Sequence, residues 1–209
     1  MKKLLVALWI TAIGTGAMAQ YTAGTVYQNL STGHYYQMFT GSNSWSSVNS
    51  YAGTLSYSGY QGHLATVTSQ AETDFLLLTF GGSNLANKAI GGIQAAGSLS
   101  KDSGWGWVTG ETWGYTFWNG DTNEPNDAYA GSEVGNENAM QFAWNNSNGS
   151  WNDISVNYAG SNGFLVEYDA PLAPTNNAVP EPSEWAAMGL LGAGLLGLVV
   201  RGRKKNLAY

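Results

Sequence analysis

The sequence predicts an α+β domain in which two short helices flank small antiparallel sheets and one long acidic loop interrupts the strands. Two helical signals occur within residues 44–78, and after Phe80 only short apolar runs remain, separated by Gly, Ser and Asn. Between the later runs, residues 119–135 form a polar stretch loaded with carboxylates. A loop of that length inside a compact domain is usually functional or disordered, and its acid content favours function.

Taken in order, residues 33–39 place Tyr35, Tyr36 and Phe39 in a first strand. Residues 44–55 bring Trp45, Val48, Ala52 and Leu55 to one helical face. Residues 56–62 read as a polar, glycine-containing loop, and residues 63–67 alternate towards strand. Ser69-Gln70-Ala71-Glu72 is a capping-box pattern opening a second helix that carries Phe75 to Leu78. Candidate strands follow at 89–93, 105–108, 138–142, 150–154 and 164–168.

Both ends of the 209-residue chain read as processing segments, leaving room for one domain. Residues 1–19 carry Lys2 and Lys3, an apolar stretch and Ala17-Met18-Ala19 before Gln20, the pattern of a secretory signal peptide. A Pro/Asn linker at 170–179 leads to Pro180-Glu181-Pro182, an apolar run at 185–200, then Arg201, Arg203, Lys204 and Lys205. The run is short for a membrane span but workable in a thin bilayer, and the basic cluster should stay cytoplasmic. This order resembles the PEP-CTERM sorting signal of Gram-negative bacteria. The resemblance implies an exported precursor, held transiently at the inner membrane until an exosortase-type enzyme cuts the tail. A permanent single-span anchor is the alternative.

Without those ends, residues 20–179 keep two basic side chains against twelve acidic ones, a net charge of −10. Such a surface repels phosphate backbones, so nucleic acid is not an expected partner. It suits a divalent cation with oxygen ligands. No cysteine is present, which excludes disulfides, Cys-zinc sites and thiol catalysis. His34 and His63 are the only histidines and offer little material for histidine-based catalysis.

Several motifs in one order resemble the C-type lectin-like family across residues 33–168. Gly62 to Val67 with Ser69 and Glu72 matches its strand-to-second-helix junction. Ala89-Ile90-Gly91-Gly92-Ile93 stands where its Trp-Ile-Gly-Leu strand belongs, without the tryptophan. Trp105-Gly106-Trp107-Val108 and Phe117-Trp118 follow its core aromatics, and Phe164 to Tyr168 its closing strand. Glu124-Pro125-Asn126 and Trp151-Asn152-Asp153 match its two calcium motifs. The resemblance implies a C-type lectin-like domain over residues 20–169. By motif position it also implies that Ala52 and Val166 replace the family's long disulfide, and Ala139 and Val156 the short one. Trp45, Trp107, Trp118 and Trp151 are expected in the core.

The implied site binds one Ca2+ through Glu124, Asn126, Glu137, Asn152 and Asp153, with Pro125 cis as in the family. Glu124 and Asn126 lie two apart, so in an extended segment they face one side. Glu137 stands two residues before Ala139, as the family pattern requires, whereas counting forward from Asn126 selects Glu133. A second calcium site would draw on Asp127 and Asn138, but Gln94 and Ala95 stand where acids are expected. Without a cation, the carboxylates would repel one another. Glu124, Asn126, Glu137 and Asn152 would also hold sugar, through vicinal diols of the mannose, glucose or fucose type associated with Glu-Pro-Asn. Glycans or exopolysaccharide are then the expected partners, and no enzymatic activity is expected. The alternative is a lectin-like domain for protein adhesion with structural calcium and no sugar. A glycoside hydrolase using Glu124, Glu137 and Asp153 and a jelly-roll module lacking the 69–78 helix are weaker rivals.

Overall fold

A computed structural model describes residues 21–128 and 137–171. All belong to the first of two compact units, Met1–Leu172; the second, Ala173–Tyr209, lies outside the described residues. So do the expected signal peptide at 1–19, the sorting tail with its candidate span at 185–200, and Glu133. Among the described residues, no helix is long and apolar enough to cross a membrane.

The chain runs through β1 (Thr22–Gln28), β2 (Tyr35–Thr40), α1 (Trp45–Ala52), β3 (Ser56–Tyr57), β4 (Tyr60–Leu64) and α2 (Gln70–Phe80). It continues through α3 (Gly82–Leu85), β5 (Lys88–Gln94), β6 (Trp105–Trp107), β7 (Ala139–Phe142), β8 (Trp151–Ile154) and β9 (Gly163–Tyr168). The architecture is α+β, as the sequence predicts. Instead of separate small antiparallel sheets, however, the strands join in one path, β1-β2-β9-β5-β7-β8. Its β5–β9 pairing is parallel, with Lys88 beside Gly163 and Ala89 beside Phe164. The closing strand thus becomes central: β9 pairs with β2, β4 and β5.

Helix α1 forms because Ser44 caps it, its hydroxyl accepting from Ser47 N, while Trp45, Val48 and Ala52 bury one face. Trp45 Nε1 donates to Ile90 O at 2.8 Å, docking the helix on β5. In α2, Ser69 Oγ accepts from Glu72 N at 3.2 Å, but the box is only half made. The Glu72 carboxylate turns inward, taking Thr68 N at 2.8 Å and lying 2.7 Å from the Tyr36 hydroxyl. The same hydroxyl lies 2.7 Å from Glu167 Oε1. One hydroxyl hydrogen cannot serve two carboxylates. Burial, then the charge of Glu167, pushes Glu72 up to about 7, so it can hold the second proton.

Three elements have no counterpart in the sequence reading. β1, largely exposed, pairs with β2 at the sheet edge. The expected polar loop at 56–62 contains a tight β3–β4 hairpin, because Ser58 and Gly59 both take positive φ at its tip. α3 follows Gly81 as a single short turn.

Two apolar clusters make up the core. One surrounds Trp151 with Trp105, Trp107, Leu76, Ile90 and Leu165; the other surrounds Phe164 with Trp45, Val48, Phe39 and Tyr168. Of the expected core tryptophans, Trp45, Trp107 and Trp151 are buried, and Trp118 packs partly buried against the cluster of Trp107 and Trp151. The four positions matched to disulfides all lie in the second cluster, Val156 only partly buried. A Cβ on Gly62 would sit 2.9 Å from Ala52 O and 3.0 Å from Val166 Cγ1, so glycine lets these two positions close on β4. Gly91 serves similarly: its Cβ would meet Leu64 O at 2.5 Å, while its N–H donates to Ala65 O at 2.8 Å.

Candidate functional site

The acidic loop is pinned where it leaves the core. Trp118 forms a parallel bridge with Trp151, Trp151 N donates to Phe117 O at 2.8 Å, and Asn119 N donates to Trp151 O at 2.8 Å. Asn119 is buried and organises the next turn. Its Nδ2 donates to Thr122 Oγ1 and Asn145 Oδ1, and its Oδ1 accepts from Asp121 N and Asn146 Nδ2. Sequence reasoning missed Asn119, since one asparagine among many carries no distinguishing signal.

The next segment turns sharply, with positive φ at Asn123 and Asp127. The Glu124–Pro125 peptide is cis, as the family resemblance implies. Asn126 Nδ2 donates to Glu124 Oε1 at 2.8 Å. β7 and β8 lie beneath, with Gln141 opposite Asn152 and Met140 opposite Asp153. Asp153 is 1% exposed, and its two carboxylate oxygens accept from Asn126 N at 3.0 Å and Asp127 N at 2.9 Å. That pair of bonds fastens the loop to the sheet.

Glu124, Asn126, Glu137 and Asn152 line one cavity of about 260 Å³, together with Trp144 and Tyr158. The structure therefore brings four of the five expected ligands to a common wall and puts the fifth, Asp153, under the loop. Glu137 shares this wall with Glu124; Glu133 lies outside the described residues. Glu137 Oε2 also accepts from Ala128 N at 2.8 Å, closing the described ends of the loop on each other. The residues considered for a second calcium site have structural partners. Asp127 Oδ1 accepts from Glu137 N at 2.9 Å, Asn138 Oδ1 accepts from Val156 N, and Gln94 donates to Ser100 O and Ser103 O.

The electrostatics are unbalanced. Glu124 Oε2 is buried without a hydrogen-bond partner. Burial pushes the Glu124 carboxyl up to about 8, with the adjacent Asp153 and the charge of Glu137 adding to the effect. A buried unpaired carboxylate oxygen is costly, and neighbouring acids raise the cost. A hard divalent cation would offset these penalties by direct attraction, and an all-oxygen set of carboxylates and amides is what Ca2+ takes. The residues present fit that ion.

Comparison with known proteins gives three findings. The PEP-CTERM protein-sorting motif matches residues 178–204. Halomucin of Haloquadratum walsbyi is 36% identical over 154 residues, 70% of this chain, although the chain spans only about 2% of that protein's length. Among solved structures, the EPNH mutant of CEL-I superposes with a TM-score of 0.51 at 20% identity, covering 75% of this chain and 98% of that one. The C-type lectin CEL-I from Cucumaria echinata gives 0.48 at 22% identity, over 65% and 89% of the two chains. The match to the CEL-I mutant shows a C-type lectin-like fold.

Proposed function

We propose, from a C-type lectin-like fold joined to a PEP-CTERM sorting motif, that this chain is an exported binding module that takes up sugar through one Ca2+. The observation that carries this reading is the unpartnered Glu124 Oε2, buried at a cavity shared with Asn126, Glu137 and Asn152. Glu124, Asn126, Glu137, Asn152 and Asp153 would hold the ion. The ion would supply free valences for two vicinal hydroxyl oxygens of a sugar. Around them, Glu124 and Glu137 accept the hydroxyl protons, while the amides of Asn126 and Asn152 donate to the same oxygens. The Glu124-Pro125-Asn126 order favours mannose-, glucose- or fucose-type diols, as in the family it resembles. A single sugar would bind at around the millimolar level, about −4 kcal/mol, so useful affinity needs many copies on a surface.

Export and display complete the reading. Residues 1–19 direct export, residues 20–169 form the binding domain, and residues 170–179 link it to the sorting tail. The 185–200 segment holds the precursor at the inner membrane until an exosortase-type enzyme releases the domain to the cell surface or the extracellular matrix. Glycans or exopolysaccharide are the ligands there.

Calorimetry on residues 20–179 tests this directly. Calcium is expected to bind one to one, and mannose to bind afterwards and be lost on chelation. Calcium uptake with no response on a glycan array would leave a protein-adhesion domain; no calcium uptake would overturn the site.

Trp144 offers a separate check. It is 60% exposed, yet it lines the same cavity as Glu124. An exposed indole beside a diol site can pack on the apolar face of a sugar ring, worth about 1 kcal/mol. Trp144→Ala is expected to weaken sugar binding roughly five-fold while leaving calcium affinity unchanged, read by titration of each ligand.

A further inference from the structure

Three buried side chains from three separate elements meet in a row at the first turn of α2. Tyr36 of β2 is fully buried, Glu72 of α2 is 4% exposed and Glu167 of β9 is 2% exposed. The Tyr36 oxygen lies 2.7 Å from Glu72 Oε1 and 2.7 Å from Glu167 Oε1. Each of those contacts needs a hydrogen, and the phenol brings one. The remaining bonds decide where the second hydrogen sits. Glu167 Oε2 accepts from Thr66 N at 2.9 Å, and His34 Nδ1 lies 2.7 Å from Oε1, so Glu167 has the donors a carboxylate requires. Glu72 Oε2 takes Thr68 N, which leaves Glu72 Oε1 facing the phenol alone. The second proton therefore belongs on Glu72 Oε1, donating to the Tyr36 oxygen, while the Tyr36 hydrogen turns to Glu167.

We propose that Glu72, Tyr36 and Glu167 form a proton-operated lock between α2 and the sheet, closed while Glu72 holds a proton and opened when it loses it. In the closed state one line of hydrogen bonds joins α2, β2 and β9. Loss of the proton sets two buried carboxylates against a single hydroxyl. One contact then lacks its hydrogen, and like charges face each other out of water. Helix α2 also carries Leu76 into the cluster around Trp151, so opening the lock loosens an element that this part of the core depends on.

The other titratable groups around the lock work in a known direction. His34, just before β2, pairs with Glu167 and approaches Asp169 at 3.5 Å, and His63 of β4 pairs with Asp169 at 3.0 Å. Glu111 reaches the same end through the Thr66 hydroxyl. On α2 itself Asp74 is exposed, and Tyr115 approaches through Thr73 and Gln70. Burial, then the charge of Glu167, raises Glu72 from its ordinary 4.5 to about 7. The folded chain thus holds this proton more tightly than the unfolded chain. Stability from the lock is complete below about pH 4.5 and lost as pH rises to about 7. Bonding to Glu167 raises His34, while His63, lowered by burial but raised more by Asp169 and Glu167, ends at about 9. Their share is present below about pH 6.5 and goes as pH rises, for His63 through about 9. Asp169, held low by His63, loses its share only in acid. The lock and the histidine pairs therefore all favour mildly acidic surroundings.

Urea unfolding of the full-length chain and its Glu72→Gln variant, from about pH 4.5 to about pH 8, tests the lock. In the variant the amide nitrogen donates to the Tyr36 oxygen and the amide oxygen accepts from Thr68 N, a permanent copy of the protonated acid. The ratio of native to variant unfolding constants is expected to rise by about a hundred-fold up to pH 7 and then level off. Glu124 and His63 titrate in both proteins and cancel in that ratio. A ratio that stays flat over this range would overturn the proposal. If the variant fails to fold, carbon NMR of the native chain takes its place. The Glu72 carboxyl carbon should then titrate near pH 7, and a midpoint near the ordinary 4.5 would overturn the lock. Neither result bears on calcium binding at Glu124.

Discussion

Asp153→Ala and Glu124→Gln are each expected to abolish calcium-dependent sugar binding, for different physical reasons that a melting experiment separates. Asp153 is buried and accepts from Asn126 N and Asp127 N, so alanine removes a ligand and also frees the loop from the sheet. Losing a buried charged acceptor of two backbone N–H groups costs a few kcal/mol. The chelator-treated variant should therefore melt below the native chain while remaining folded. Glu124→Gln keeps the side-chain shape and removes a charge whose Oε2 has no partner. The chelator-treated Gln variant should melt above the native chain at neutral pH, because the native Glu124, pushed up to about 8, must take up a proton to stay folded whereas glutamine need not. Both variants should fail to take up calcium in calorimetry. Retained calcium-dependent mannose binding in both would defeat the assignment of these residues.

Trp151→Ala carries the largest expected loss of stability. Its ring is fully buried, with edge-on contacts to Trp107, Tyr115 and Trp118 at centroid separations of 5.5, 5.6 and 5.8 Å. Truncating a buried tryptophan costs about 3–5 kcal/mol, from lost transfer energy and the cavity left behind. The cost should appear as a lower denaturant midpoint with an unchanged slope. Calcium affinity should fall as well, because Asn152 and Asp153 follow directly on β8 and the loop departs from its bridge at Trp118. Trp144→Ala is the control: that ring is exposed, and its loss should change stability by no more than about 0.5 kcal/mol. Equal destabilisation by the two variants would contradict the placement of Trp151 at the centre of the core.

Where signals are local, sequence and structure agree closely. The spacing of Trp45, Val48 and Ala52 located the start of α1, and Ser69 with Glu72 the start of α2, each within a residue, while α1 ends at Ala52 and α2 runs on to Phe80. Yet Glu72 does not complete its capping box, because Tyr36, reached only through the tertiary fold, competes for the carboxylate. At the candidate site, the order Glu124-Pro125-Asn126 and Trp151-Asn152-Asp153 named the residues. It could not foresee that Asp153 would serve as the loop's fastening, nor that Asn119 would be buried beneath the turn.

By itself the sequence determined the sorting motif, the acidic charge balance, the two helices and the strands with alternating or aromatic signals. The helices and strands depend on residues within about one helical turn or a few strand positions of one another. Only the tertiary structure decided that β9 lies between β2 and β5, that β5 meets it in parallel, and that His34 and His63 converge on Glu167 and Asp169. Those arrangements join segments from 75 to 133 residues apart, Lys88 with Gly163 and Tyr35 with Tyr168. Their free energy comes from shared burial and cross-strand pairing, which leave no periodic trace in either segment alone.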